Sequence, residues 1–366
     1  MDFAWSEEQE ALRRSVTQFA QNELVSDVVA EDQAQDFSWD GWRKCARFGV
    51  QGMPAPGEYG GGDADILTMV CALEALGYGC RNAGLIFSLN AHLWGAVMPL
   101  AIFGSGEQKR RYLPRLASGD LMGGQAVVAR GLGAAEAGLT SLDGNIRAEQ
   151  TGDGWRLNGA RSYVVNSGIA DLVIIDAATD DGPTAFVVEK GMPGAEPGST
   201  VERMGLRTSP AGSLTLANCA VPDANRLGGV GSGGAILKAA GEWEGICVLA
   251  AEVGMMQRQF EASARYAAER RQFGQPIAKF PAIAEKLARM DTRLETARLV
   301  LYKAAWLKKQ GRSAERETGI ARSYVTEAAV QTCRDALQIH GGYGYMTEYQ
   351  IERDLRDAIS LKIFSN

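Results

Sequence analysis

The chain of 366 residues carries only two histidines, His92 and His340, and six cysteines, Cys45, Cys71, Cys80, Cys219, Cys247 and Cys333, none in a CxxC pair. That spacing excludes the usual zinc motifs, and so little imidazole argues against a histidine-held metal, so no metal is expected. The cysteines are expected to be buried free thiols of a protein in a reducing cytoplasm. A Ser-His-Asp triad is short of candidates for the same reason, and no GxSxG elbow occurs. Positive charge is not in excess, since 38 Lys and Arg stand against 44 Asp and Glu, a net charge of -6. Binding to nucleic acid, which requires concentrated positive charge to displace phosphate counterions, is not expected. An acidic protein partner is not excluded, because a local basic patch could dock it. The start, MDFAWSEEQEALRR, has no basic residues ahead of an apolar stretch, so a secretory signal is not expected. Apolar runs such as Ala96 to Phe103 are short for a bilayer, and no membrane partner is expected.

What is present is a normal core-forming composition, 46% hydrophobic and 22% charged, enough for two or three domains. The pattern falls into three blocks. Residues 1–120 read as helical, with Ser6 before Glu7 and Glu8 as a helix start. LTMVCALEALGYG reads as a buried helix. Residues 121–225 change to short β-like segments, GGQAVVA, NIRAEQ, WRLNG, SYVVN, LVIIDAA, TAFVVEK and SLTLAN, punctuated by TGDG at Thr151 and DDGP at Asp180. Strands without intervening helices predict an antiparallel barrel or sandwich. Residues 226–366 return to helix. GVGSGG, from Gly229, formally fits GxGxxG. It has no preceding buried strand and no βαβ unit after it, so it reads as a flexible lead-in to the next helix.

That helix, within Gly241 to Gly274, organises the last block. Ile246, Leu249, Val253, Met256, Phe260, Ala264 and Ala267 trace one apolar face. Val248, Ala251 and Met255 form a second stripe, and Glu244 stands one turn before it, where a carboxylate would face protein or ligand. Periodicity alone allows the plain alternative of a paired or solvated helix carboxylate.

Four stretches then occur in a telling order: LNGARSYVVNSGIAD from Leu157, RMGLRTSPAGSLTLANCAVPDANRLG from Arg203, ERRQFGQPI from Glu269 and QIHGGYGYMTEYQIERDLRDA from Gln338. Together they resemble the acyl-CoA dehydrogenase superfamily of flavoproteins over nearly the whole chain. The resemblance implies an α+β, mostly α fold: an N-terminal helical domain, a middle antiparallel β domain and a C-terminal four-helix bundle, with FAD between the last two. It also implies that Arg270, Phe273, Gln338, Gly341 and Gly342 contact the adenosine diphosphate half of FAD across a subunit boundary, in a homodimer or homotetramer. Arg270 would supply positive charge, and the glycine pair leaves room for close approach. On the flavin-ring side the family's TEPGAGSD is replaced by VARGLGAA from Val128, and WITN by YVVN. Tyr163 then takes the stacking position and Val165 the place of a threonine hydroxyl. Val127, Val128, Tyr163 and Val165 are the cofactor-binding residues expected there.

Many family members take the catalytic base from a glutamate where this chain has Ser365, which cannot serve as a carboxylate base. A minority, resembling isovaleryl-CoA dehydrogenase, carries it on the bundle helix. Aligning Val253 to Arg258 puts Glu244 at that position. Glu242, roughly 200° around the helix, does not share its face. Gly245 stands where the family usually has arginine and is expected to shape substrate binding. The expected reaction is oxidation of an acyl thioester, with Glu244 removing a proton and a hydride passing to the flavin. EWEGICVLA looks like the branch acting on short hydroxyacyl groups on an acyl carrier protein, in hydroxymalonyl- and methoxymalonyl-type polyketide extender-unit supply. A short or branched acyl-CoA substrate, a flavin monooxygenase and a non-enzymatic assembly protein are the alternatives. The electron acceptor stays open.

Overall fold

The structure, a computed structural model, describes residues 5–126 and 146–364. Val127, Val128, the VARGLGAA segment and Ser365 lie outside them.

The first block holds α1 (Glu7–Glu23), α2 (Val28–Ala34), α3 (Trp39–Phe48), α4 (Ile66–Gly79), α5 (Ala83–His92), α6 (Met98–Phe103) and α7 (Gly106–Ala117). Ser6 does cap α1, and Gln9 completes a reciprocal capping box with it, which satisfies two otherwise unpaired donors. α4 is buried along most of its length, as its continuous apolar run requires. A π-helical turn, Leu93–Val97, joins α5 to α6. Ala83–Phe103 is thereby one helical stretch of 21 residues with mean hydropathy 1.6, long and apolar enough to cross a membrane by length and composition, yet 78% buried in the protein.

The second block is a single sheet: β1 (Gly123–Ala126), β2 (Arg147–Thr151), β3 (Gly154–Val165), β4 (Leu172–Thr179), β5 (Gly182–Glu189), β6 (Ala195–Thr200), β7 (Ala211–Pro222) and β8 (Arg226–Leu227). The order is β6-β7-β3-β1-β4-β5-β8, with β2 beside β3 and β4. It differs from the expected antiparallel arrangement in one respect: β4 runs parallel to β1 and to β2. WRLNG and SYVVN form one strand, because the ladder absorbs a break at Gly159, whose φ of 139° suits glycine alone. β6 was not expected, since Pro197 and Gly198 disguise it, and both are tolerated on an edge strand. The sheet continues to Leu227, slightly past 225.

The last block holds α8 (Gly233–Glu269), a two-stranded ribbon of β9 (Arg271–Gln272) and β10 (Gln275–Pro276), α9 (Pro281–Lys309), α10 (Glu315–His340), the short α11 (Gly342–Tyr345) and α12 (Ile351–Phe364). GVGSGG leads into α8 as a turn, and Gly231 donates its amide to Thr184. The main core joins α1, α4 and α5 to α8, α9 and α10 through Val70, Leu73, Leu249, Val253, Leu301 and Val325. The N-terminal helices therefore pack on the bundle and bring α5 and β1 to the start of α8.

Candidate active site

The seven residues of the predicted main face of α8 divide: Ile246, Leu249, Val253, Met256 and Ala267 are fully buried, while Phe260 and Ala264 remain partly accessible. Glu244 lies off that face. The residue is partly buried, and its carboxylate is surrounded by enough protein that burial pushes its pKa up. Two groups oppose the rise, the charge of Arg322 on α10 and a hydrogen bond from the Gln125 side chain on β1. Trp243 stacks on Trp94 with ring centroids 5.7 Å apart, which ties this end of α8 to the π-helical turn. At Gly95, in that turn, an added Cβ would lie 2.8 Å from both Gln125 Cβ and the Gly124 carbonyl oxygen. The glycine thus lets β1 press close enough to deliver Gln125. Glu242 points elsewhere and pairs with Lys308.

A cavity begins one turn beyond Glu244 at Val248 and is lined also by Phe87, Asn90, Ala251, Glu252 and Asp354. Part of its lining is polar. Asp354 pairs with Arg258 at 3.1 Å. Glu252 Oε2 is buried with no partner among the described residues, and burial, reinforced by Asp357 and Asp354, pushes the Glu252 carboxyl up to about 8. A carboxyl whose folded pKa is raised contributes stability at low pH that is lost as pH climbs toward the folded value. Glu252→Gln is therefore expected to raise the melting temperature at pH 8 relative to the parent, with the gain shrinking toward pH 5. A constant difference across that range in calorimetry would contradict it.

On the flavin-ring side, Tyr163 is partly buried and its hydroxyl accepts from Arg203 Nη1 at 2.7 Å. Val165 is fully buried, registered with Gln125 on one side and Ala211 on the other. Asn166 takes a left-handed φ of 64° and donates to the carbonyls of Ser88 and Gly123, stapling β3 to α5 and β1. Arg203 Nε is buried without a partner among the described residues.

Arg270, Phe273, Gln338, Gly341 and Gly342 gather at the opposite end of the bundle, where α8 and α10 finish, and all five are exposed. Phe273 and Gly274 form the ribbon turn with φ of 49° and 81°, which presents a phenyl ring 92% exposed. Arg270 lies over the Tyr343 ring at 5.6 Å. A Cβ at Gly341 or Gly342 would meet nothing within 4 Å, so the pair fronts open space that a diphosphate could enter. Both ends suit a flavin dinucleotide, a partly buried aromatic beside an arginine at one and an exposed arginine with bare backbone at the other. Glu244 and Arg270 stand about 39 Å apart along the axis of α8, at a rise of 1.5 Å per residue.

Sequence reasoning missed Gln125, Arg322 and Arg203 as neighbours of these groups. Only Arg203 had a visible signal, standing at the head of one of the recognised stretches.

Known proteins resemble this chain along its whole length. Residues 6–120 match the acyl-CoA dehydrogenase N-terminal domain and residues 231–365 the acyl-CoA dehydrogenase C-terminal domain. An L-prolyl-[peptidyl-carrier protein] dehydrogenase of Pseudomonas fluorescens is 34% identical over 371 residues, 100% of this chain and 96% of that protein. The crystal structure of the prolyl acyl carrier protein oxidase AnaB superposes with a TM-score of 0.93 at 45% identity, covering 99% of this chain and 96% of the other. A structure of PigA with FAD and proline gives 0.94 at 34% identity, covering 100% and 96%. With both domain matches, full-length relatives and the helical blocks with the sheet between them, the chain belongs to the acyl-CoA dehydrogenase family.

Proposed function

We propose that this FAD-dependent oxidoreductase oxidises a short acyl group, with a prolyl group the first candidate, held as a thioester on a carrier protein, and that Glu244 is its base. The observation that carries the reading is Glu244 itself, a carboxylate raised by burial, one helical turn before the cavity-lining Val248 and flanked by Gln125 and Arg322. A general base works best when its pKa lies near the working pH, which partial burial promotes. FAD, when bound, supplies the two-electron acceptor. Glu244 takes the proton from the carbon beside the thioester carbonyl, so the substrate loses two hydrogens in all. The stacked Trp243 and Trp94 hold the stretch of α8 that carries Glu244 against the π-helical turn after α5. The Arg258–Asp354 pair and the buried Glu252 carboxyl make part of the cavity lining polar, which suits a short substrate over a long apolar tail. The relatives that act on prolyl carriers favour that substrate over the hydroxyacyl group of methoxymalonyl-type supply, for which no residue speaks specifically.

The test is anaerobic bleaching of the flavin by prolyl-carrier, hydroxyacyl-carrier and short acyl-CoA thioesters. Rapid bleaching by the prolyl carrier alone supports the reading. Preference for CoA esters would replace the carrier, and reaction of reduced flavin with oxygen without any need for Glu244 would favour a monooxygenase.

The distance from Glu244 to Arg270 along α8 supports a homo-oligomer in which Arg270, Phe273, Gln338, Gly341 and Gly342 of one copy would hold the FAD that serves Glu244 of another. Exposed Phe273, Tyr345 and Met346 add an apolar surface at that end. Arg270→Ala is expected to weaken FAD retention on the order of tenfold, the loss of a charge-assisted bond, while the reduction rate of the FAD-saturated variant stays unchanged. Fluorescence of released flavin during dilution measures it. A reducing cytoplasm suits the six buried free thiols.

A further inference from the structure

Gly245 is buried directly after Glu244, and what fills the space its absent side chain leaves is visible. A Cβ built there would lie 2.7 Å from Arg322 Nη2 and 3.0 Å from Thr318 Cγ2, both on α10. The guanidinium therefore enters the site through the gap at Gly245. It stands near enough that its charge acts on Glu244, while no carboxylate lies in ion-pair contact with it among the described residues, unlike Lys308, which is held by Glu242.

We infer that Arg322 is a positioning residue of the site: admitted by the missing side chain of Gly245, its guanidinium reaches from α10 to the backbone beside Glu244 and sets a positive charge next to the base. This rests on the reading of Glu244 as the base. The arginine usual at position 245 in the family would then be replaced, in function, by one reaching across from the neighbouring helix. Among the described residues, two groups act on Glu244 from the elements packed against it. α10 contributes Arg322 as the charge, β1 contributes the neutral amide of Gln125, and on α8 itself Glu242 is neutralised by Lys308. A cation near a carboxylate in a poorly hydrated site favours the ionised form. Its removal leaves burial unopposed except by Gln125, so Glu244 protonates at higher pH than before.

The experiment uses the FAD-loaded enzyme as Arg322→Met, Arg322→Lys and the double variant Arg322→Met/Gly245→Arg. Two readouts are taken. One is the pH profile of anaerobic flavin reduction. The other is infrared titration of the protonated Glu244 carboxyl band, assigned by its disappearance in Glu244→Gln. In Arg322→Met the acid limb moves to higher pH, so that reduction below the limb falls on the order of tenfold and recovers at high pH, and the carboxyl band persists to higher pH. Arg322→Lys keeps most of the parental profile, and the double variant regains it by restoring a guanidinium from position 245. An unmoved band and limb in Arg322→Met, or a rate lost equally at every pH, overturns the inference. Should Glu244→Gln reduce flavin at the parental rate, the reading of Glu244 as base fails instead, while the infrared titration still reports whether Arg322 sets its ionisation.

Discussion

Glu244→Gln retains FAD and cuts anaerobic flavin reduction by about 10²–10⁴-fold, the range that positioned acid–base catalysis contributes. The amide preserves the volume of the side chain and can still bond to Gln125, so the packing around Trp243 and Trp94 is kept. What it removes is the lone pair able to accept a proton at neutral pH. Stopped-flow bleaching at several pH values separates this from a binding defect, because the parent's rate rises as Glu244 ionises and the variant's shows no such limb. Burial raises the pKa of this carboxyl, so in the parent the rate increases with pH through that raised value and falls below it. A variant that bleaches its flavin at the parental rate would remove Glu244 from the mechanism and leave the fold without a base among the carboxylates considered, since Glu242 is bound to Lys308.

Gly254→Ala destabilises the protein by about 3 kcal/mol, the upper part of the usual overpacking range. α4 and α8 cross with their backbones in contact. A Cβ on Gly254 would fall 2.0 Å from the Glu74 carbonyl oxygen and 2.6 Å from the Tyr78 amide nitrogen. From the other side, a Cβ on Gly77 would fall 2.1 Å from the Ala251 carbonyl oxygen. Backbone atoms cannot rotate aside as a flexible side chain would, so the helices must separate, and the bonds from Arg298 and Tyr302 to the buried Glu74 nearby must shift with them. Denaturant unfolding of the holoenzyme measures the loss. Gly319→Ala is the control, an exposed position in α10 with nothing within 4 Å of the added methyl, where the better helix former gains up to about 1 kcal/mol. Equal midpoints for the two variants would show that the crossing relaxes freely.

Much of the architecture was readable from residue order. The switch from helical spacing to short strands near Leu121, and back after Pro222, follows from local periodicity and turn chemistry. Both turns marked by TGDG and DDGP fall between strands. Two strands were misread for local reasons. Gly159 resembles a turn because a bulge and a turn make the same demand on φ, and Pro197 with Gly198 conceals an edge strand. The parallel pairing of β1 with β4 has no local signature, since pairing direction depends on where the connecting chain runs.

The same division holds in the site. Glu244 stood out because a carboxylate one turn before a buried stripe is unusual and because Ser365 left the family's other base position empty. Gly245 stood out for its missing side chain. Arg322 and Gln125 did not, since they come from α10 and β1 and share no spacing with α8.

The sequence by itself determined the order of the three blocks and most of the buried face of α8, because each is written in contacts between near neighbours or in motifs. Only the tertiary structure decided which charges surround Glu244. The ionisation of a carboxylate is set by the sum of burial and fields acting through space, and those distances exist only once the helices and the sheet have packed.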